Sequence, residues 1–117
     1  MNQSTQNGVQ PLQRRRNEID RLDNQLLRLL NQRARIACEL GAIKIASGLP
    51  AYDGRRERQV LARVCAENEG PLGPESVANI FRRVILETRR IGIRSMQQQR
   101  MKSATVKNFS KEARNGH

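Results

Sequence analysis

The sequence has no tryptophan, one tyrosine and two phenylalanines, so aromatic residues make up only 3% of its 117 residues. An apolar core must therefore come from Leu, Ile, Val and Ala, which suit helix packing better than a sheet sandwich. Folds that bind single-stranded nucleic acid stack bases on aromatic side chains, and this chain has too few of them for that role.

Cysteine is equally scarce. Cys38 and Cys65 form no CxxC motif and have no histidine nearby, so the spacing does not favour a metal site or a redox motif. Both residues lie within apolar helical patterns. We therefore expect two buried free thiols, no metal, and a reducing compartment.

Long apolar runs are missing as well. The first ten residues, MNQSTQNGVQ, lack the apolar stretch of a secretory signal peptide, and no later segment approaches transmembrane length. These two absences predict a cytoplasmic protein that does not contact a membrane.

Acidic residues number 11 against 22 basic ones, which gives a formal net charge of +11. A charge of this size raises the question of a nucleic-acid partner. The basic residues are spread along the whole chain rather than gathered in one block. We interpret most of them as a solvated basic surface and expect no nucleic-acid binding.

Three helical patterns are present, with no strand pattern and no internal repeat. In the first, from about residue 12 to 46, apolar residues recur at alternating spacings of three and four over more than three heptads. A second helix follows Asp53, a suitable N-cap, and a third begins at Pro74, a residue favoured at the first helical position. The patterns predict an all-α fold with three helices per subunit.

We expect this helical domain to cover residues 12–98, between a flexible N-terminal segment (1–11) and a basic, disordered tail (99–117). A first helix of about 35 residues is roughly 50 Å long. A compact domain of about 100 residues has a radius of gyration of about 13 Å. Two shorter helices cannot cover so long a seam, so the prediction is an intertwined homodimeric bundle.

Two cations interrupt the apolar seam of the first helix. Arg33 lies between Leu29 and Ile36, where an apolar residue is expected. Because a buried arginine without a partner is costly, we expect it to meet an anion, with a register device or a salt bridge to a core glutamate as alternatives. Lys44 follows after about three turns and falls within about 20° of the same face. Alone, it would more often be a solvated cation at a helix C-terminus.

Polar residues also accompany the apolar faces of the other two helices. Arg56 and Glu57 precede the apolar face of the second helix, so one or both face inward. Thr88 lies on the stripe of the third helix, where a hydroxyl bonded to the carbonyl one turn earlier is the commoner arrangement. The sequence has no nucleophile–base pair, no HExxH and no glycine-rich phosphate loop. Such an interior suits a small dianion whose reaction needs holding and charge stabilisation.

Three stretches carry a family resemblance: RNEIDRLDNQLLRLLNQRARIACELGAIK, then GLPAYDGRRERQVL, then IFRRVILETRR. The region that contains them, from about residue 12 to 92, resembles the all-helical chorismate mutases. The resemblance implies an intertwined dimer with two active sites and no cofactor. It also implies the rearrangement of chorismate to prephenate, a step in the biosynthesis of phenylalanine and tyrosine.

Site roles follow from the same resemblance. Arg33 and Lys44 match the catalytic pair that holds one substrate carboxylate and the ether-oxygen region. Arg16, just before the EIDRLD stretch, looks like the arginine that reaches into the site of the partner subunit.

The later stretches match further substrate-binding residues. Arg56 matches the arginine for the second carboxylate, Asp53 and Glu57 match the groups on the ring-hydroxyl side, and Thr88 stands where the family has a small hydroxyl residue. The sequence departs from the pattern at Gly92, where the family usually has Gln or Glu near the ether oxygen. A missing donor to developing oxyanion charge typically costs about a hundredfold in rate.

The implied reaction is pericyclic and needs no acid, base or nucleophile. It needs a near-attack conformer and stabilisation of the charge that separates as the ether bond breaks. Two other functions remain open: an isochorismate pyruvate lyase with the same fold, and a non-catalytic or regulatory module, which Gly92 would favour.

Overall fold

The computed structural model of the protein describes the backbone of residues 2–115 and the side chains of residues 8–105. Over this range it has three helices and no strand. They are α1 (Asn2–Ser47), α2 (Gly54–Glu67) and α3 (Pro74–Asn115). The predicted all-α class and the number of helices are confirmed. None of these helices, as far as the structure describes them, has the length and apolar character needed to cross a membrane.

Both outer helix ends differ from the prediction. The helix α1 begins at Asn2 instead of near residue 12 and contains Pro11. The helix α3 continues to Asn115, through the segment predicted as an irregular tail. Residues 93–115 contain neither Gly nor Pro and are rich in Arg, Lys, Gln, Met and Ala, which favour helix without an apolar stripe. Residues 1, 116 and 117 of the predicted end segments lie outside the described backbone.

The turn between α1 and α2 has a recognisable C-capping geometry. The backbone N–H of Gly48 donates to the carbonyl of Ile45 (3.2 Å), and that of Leu49 donates to the carbonyl of Lys44 (2.9 Å). These two bonds form a Schellman motif, which requires a left-handed residue after the helix. Gly48 supplies it with a φ of 67°. The motif ends α1 at Ser47, within one turn of Lys44, and directs the chain toward α2.

The start of α2 is capped as predicted. The Asp53 side chain accepts a hydrogen bond from the backbone N–H of Arg56, at 3.1 Å, and so satisfies one of the free donors of the first turn. Pro74 is the first residue of α3, also as predicted. These caps determine where Asp53, Arg56 and Glu57 begin to follow the helical period.

The chain divides into two units, residues 1–32 and residues 33–117. The first unit is a single stretch of α1. The second holds the buried apolar residues of the described part of the chain. Val60, Val77 and Ile85 belong to α2 and α3, which pack on each other, and Met96 of α3 lies beside Gly41 of α1. Within this second unit the C-terminal part of α1 also packs on α3.

Two glycines allow α1 and α3 to approach closely. A Cβ atom on Gly41 would lie 2.9 Å from the carbonyl oxygen of Gly92 and 2.8 Å from Cγ of Met96. A Cβ atom on Gly92 would lie 3.1 Å from the carbonyl oxygen of Ala37. The two backbones therefore touch with little side chain between them. This close crossing brings Arg33 of α1 up to Thr88 of α3.

Much of the apolar seam of α1 is exposed in the single chain. Its large apolar residues are 48–61% exposed. They are Ile19, Leu22, Leu26, Leu29, Ile36, Leu40 and Ile43. Exposed apolar side chains that recur along one helix in this way are typical of an interaction surface.

Candidate active site

The second unit contains a cavity of about 130 Å³ between α1, α2 and α3. Its polar lining comes from all three helices and from the turn before α2. These residues are Arg33, Lys44, Asp53, Arg56, Glu57, Thr88 and Arg89. Leu40, Ile85, Ile93 and Met96 form much of the apolar wall. Six of the seven predicted site residues therefore meet at one place.

Arg16, the seventh predicted residue, belongs to the first unit. Its side chain is exposed on α1. It is not among the residues that line the cavity.

Arg33 enters the cavity from α1 and is partly buried. Its Nη1 donates a hydrogen bond to the hydroxyl of Thr88. Burial and, after it, the charge of Arg56 lower the pKa of Arg33 from its usual range, while Glu57 acts in the opposite direction. The surroundings thus leave the positive charge of Arg33 incompletely compensated, a condition that an added anion would relieve.

Thr88 is the most enclosed polar residue of the site, with 6% of its surface exposed. Its hydroxyl donates to the carbonyl of Val84 at 2.8 Å and accepts from Arg33. A hydroxyl has one proton to donate, so Thr88 has none left for a ligand. The bond to the preceding turn is the arrangement that is commoner for a threonine within a helix, and here it also turns the oxygen toward Arg33.

Lys44 lies in the last turn of α1. Its Nζ donates to the carbonyl of Ala51 at 3.1 Å and thereby ties the end of α1 to the turn before α2. An ammonium group has three donors, so two remain available to the cavity.

Asp53 and Arg56 line the mouth of the cavity at the start of α2. One carboxylate oxygen of Asp53 accepts the N-cap hydrogen bond from the backbone of Arg56, and the other oxygen is available to accept a further hydrogen bond. Both side chains are exposed. Within residues 8–105 the guanidinium of Arg56 takes part in no ion pair, so its donors remain available to a ligand.

Arg89 is a site residue that the sequence analysis missed. Its Nη1 lies 2.8 Å and 2.9 Å from the two carboxylate oxygens of Glu57. Its guanidinium carbon also lies 5.0 Å from the centre of the Tyr52 ring. A signal for it was present, because Arg89 is four residues after Ile85 and four before Ile93 and so shares their helix face.

Gly92 forms part of the cavity wall with backbone alone. The short distance to the Ala37 carbonyl explains why a residue without a side chain is present, since any Cβ atom would press on α1. At position 92, where the resemblance leads us to expect a side-chain donor, the structure has a close helix contact instead. Among the residues that the structure describes, no group of three or more His, Cys, Asp or Glu residues could hold a metal ion.

Comparisons with known proteins agree on one family. A family model described as chorismate mutase type II matches residues 15–92. The bifunctional chorismate mutase/prephenate dehydratase of Aquifex aeolicus is 36% identical over 81 residues, which is 66% of this chain and 22% of that protein. The enzyme of the same name from Neisseria gonorrhoeae is 46% identical over 72 residues, or 62% of this chain and 19% of that protein.

The chain thus spans about a fifth of the length of these curated relatives. A solved structure is similar over almost its whole length: form II of a chorismate mutase from Thermus thermophilus. It superimposes with a TM-score of 0.69 at 36% identity, over 71% of this chain and 94% of that chain.

Proposed function

This chain belongs to the chorismate mutase type II family, and we propose that it rearranges chorismate to prephenate in the cavity lined by Arg33 and Lys44. One observation carries the proposal: four cationic side chains and two carboxylates line this cavity, an excess of two positive charges. Chorismate carries two carboxylates, so its charge would balance that excess. The cavity therefore suits binding of a dianion.

The chemistry needs only orientation and charge stabilisation. In the rearrangement the ether C–O bond breaks while a C–C bond forms within the same molecule, so no proton, electron or group is exchanged with the protein. Holding both carboxylates brings the two reacting carbons together as a near-attack conformer. Donors at the ether oxygen stabilise the negative charge that develops there.

Arg33 and Lys44 are the residues we propose for these two tasks. Thr88 holds the guanidinium of Arg33 in one orientation, which suits a fixed, two-point contact with a carboxylate. Lys44 is held by the Ala51 carbonyl and keeps two N–H donors for the ether-oxygen region. Because the wall at Gly92 has no side-chain donor, Lys44 carries most of the stabilisation of the oxyanion in this proposal.

The remaining residues of the cavity complete the contacts. We propose that Arg56, at the mouth, binds the second carboxylate, and that Asp53 and Glu57 accept hydrogen bonds from the ring hydroxyl side. Thr88 has no donor left, so its proposed role is to orient Arg33 instead of contacting substrate.

We further propose that the active form is an intertwined homodimer in which Arg16 enters the site of the partner subunit. Support comes from the stripe of exposed apolar residues on α1, which a second copy of the same helix would cover. We also propose a cytoplasmic location without a cofactor. The two free thiols of Cys38 and Cys65 agree with a reducing compartment.

The test is an assay of the purified protein with chorismate and, separately, with isochorismate, followed by identification of the products. Prephenate from chorismate supports the proposal, whereas salicylate and pyruvate from isochorismate would assign the protein as a lyase. Binding of a chorismate analogue without turnover of either compound would favour a non-catalytic module, the function that the bare wall at Gly92 supports.

A further inference from the structure

The ion pair between Arg89 and Glu57 connects α3 to α2 at the wall of the cavity. The two side chains are 29% and 24% exposed. Each side chain in the other three ion pairs found within residues 8–105 is 48–78% exposed. Partial burial reduces screening by water, so this pair is the one whose geometry the surroundings hold most firmly.

Tyr52 restrains the Arg89 side chain from a second direction. Its ring lies under the guanidinium, 5.0 Å from the central carbon. The ring itself packs against the start of α2, since a Cβ atom on Gly54 would lie 2.8 Å from the Tyr52 hydroxyl. A planar guanidinium that stacks on an aromatic ring and bonds a carboxylate has few alternative rotamers.

Glu57 needs such a partner because of its position. It lies one turn after Asp53, and like charges at this spacing repel each other on a helix. Both carboxylates line the same cavity. The positive charge of Arg89 offsets the repulsion. Because one Nη1 contacts both oxygens, each oxygen of Glu57 retains acceptor capacity toward the cavity.

We infer that Arg89 is a specificity-determining positioning residue, which fixes Glu57 as a hydrogen-bond acceptor for a hydroxyl on the bound dicarboxylate. The inference rests on the proposed function. Discrimination between ligands with and without the hydroxyl then depends on Arg89, although Arg89 does not itself contact the hydroxyl. A polar site that is built to bond a substrate hydroxyl can reject the analogue without it by about 10⁴-fold or more.

The experiment compares Arg89→Ala and Arg89→Lys with the wild type and with Arg90→Ala. Arg90 is the matched control, because it is the next residue on α3 and pairs with Glu87 on the exposed side, at 2.9 Å. The readouts are kcat and KM for chorismate. A second readout uses two dicarboxylate analogues that differ only in the ring hydroxyl. It is the inhibition constant of the analogue without the hydroxyl divided by that of the analogue with it, called the analogue ratio below.

We expect Arg89→Ala to raise KM by about 10-fold or more, with a smaller fall in kcat, and to reduce the analogue ratio by a similar factor. Arg89→Lys restores part of the ratio because it keeps the charge, and Arg90→Ala leaves both readouts at the wild-type level. An unchanged analogue ratio in Arg89→Ala would overturn the inference.

A double-mutant cycle separates positioning from direct contact. If Arg89 acts through Glu57, then Arg89→Ala costs no more than about twofold once Glu57→Gln is present. An equally large loss in both backgrounds would show that Arg89 contacts the ligand itself, and the positioning role would be wrong.

Two further measurements keep the test decisive. Tyr52→Leu removes the stacking ring but no charge, so it should lower the analogue ratio in the same direction even where Arg89→Ala fails to fold. An unchanged ratio in a folded Tyr52→Leu protein, together with an unfolded Arg89→Ala, would count against the inference. If the wild type binds both analogues but does not turn over chorismate, the proposed function fails. The change in the analogue ratio in Arg89→Ala still tests whether Arg89 positions Glu57 for the ligand hydroxyl.

Discussion

Arg33 on α1 donates a hydrogen bond to the hydroxyl of Thr88 on α3, fifty-five residues later in the chain. The same hydroxyl donates to the Val84 carbonyl of its own helix. A bond that is ordinary for a helical threonine thus determines where the oxygen points, and the oxygen in turn orients the guanidinium of Arg33.

Replacing Thr88 with valine should therefore lower activity without changing the fold. Valine keeps the shape but removes the acceptor, and a hydrogen bond to a charged group contributes about 1.5–3 kcal/mol. We expect kcat/KM for chorismate to fall by about 10- to 100-fold. Thr88→Ser keeps the hydroxyl and should retain most of the activity. Equal losses in both variants would mean that the methyl group matters instead.

Arg33→Met should abolish turnover and leave the protein at least as stable as the wild type. A partly buried cation whose pKa is lowered, chiefly by burial, gains little from its charge in the folded state, and an apolar side chain of similar length fills the same space. Thermal unfolding and the chorismate assay measure the two effects. Arg35→Met, on the opposite face of α1, is the control and should keep its activity. Loss of stability together with activity would indicate a structural role for Arg33.

Lys44→Ala should reduce kcat by about a hundredfold or more, since in the proposed mechanism Lys44 stabilises the ether oxygen and Gly92 has no side chain to share that role. Lys102→Ala, at an exposed site on α3, should not alter kcat. Steady-state kinetics on both variants decides between a catalytic Lys44 and one that only ties α1 to the Ala51 carbonyl. A change confined to KM would count against the catalytic role.

Gly41→Ala should destabilise the protein, because the new methyl group would lie 2.9 Å from a backbone oxygen that cannot rotate away. Overpacking of this kind costs about 1–3 kcal/mol. Gly8→Ala is the matched control within the same helix, with no atom within 4 Å of its Cβ position, and should stabilise by about 0.5–1 kcal/mol. Chemical denaturation gives the free energy of unfolding of each variant, which should fall for Gly41→Ala and rise for Gly8→Ala. A neutral Gly41→Ala would show that α1 and α3 can separate freely.

Leu22→Arg should convert the proposed homodimer to a monomer and remove turnover, since it places a charge in the exposed apolar stripe of α1. Asn24→Arg adds the same charge on the opposite face of the helix and should leave the dimer intact. Light scattering gives the mass of each variant. A wild type that is monomeric at assay concentrations, yet fully active, would disprove the dimeric site.

Much of the local structure could be read from residue types and spacing. The three-and-four spacing of apolar residues is enough to predict α1 as a helix. Asp53 and Pro74 mark the starts of α2 and α3, because capping depends only on a few neighbouring residues. The helical period also placed Arg33 and Lys44 on one face, and both line the cavity. The outer ends of α1 and α3 lie beyond the predicted positions, because helix propensity without an apolar stripe gives no clear signal of where a helix stops.

The sequence alone determined the three helices, their inner boundaries and the shared face of Arg33 and Lys44, since each of these follows from the period and the caps of a single segment. Tertiary structure decided which side chains meet across helices. Arg89 with Glu57, and Arg33 with Thr88, are pairs 32 and 55 residues apart. Their contacts depend on how closely α3 approaches α2 and α1, and at the crossing with α1 that distance is set by Gly41 and Gly92. No local pattern encodes such an approach, because it arises only when two backbones pack together.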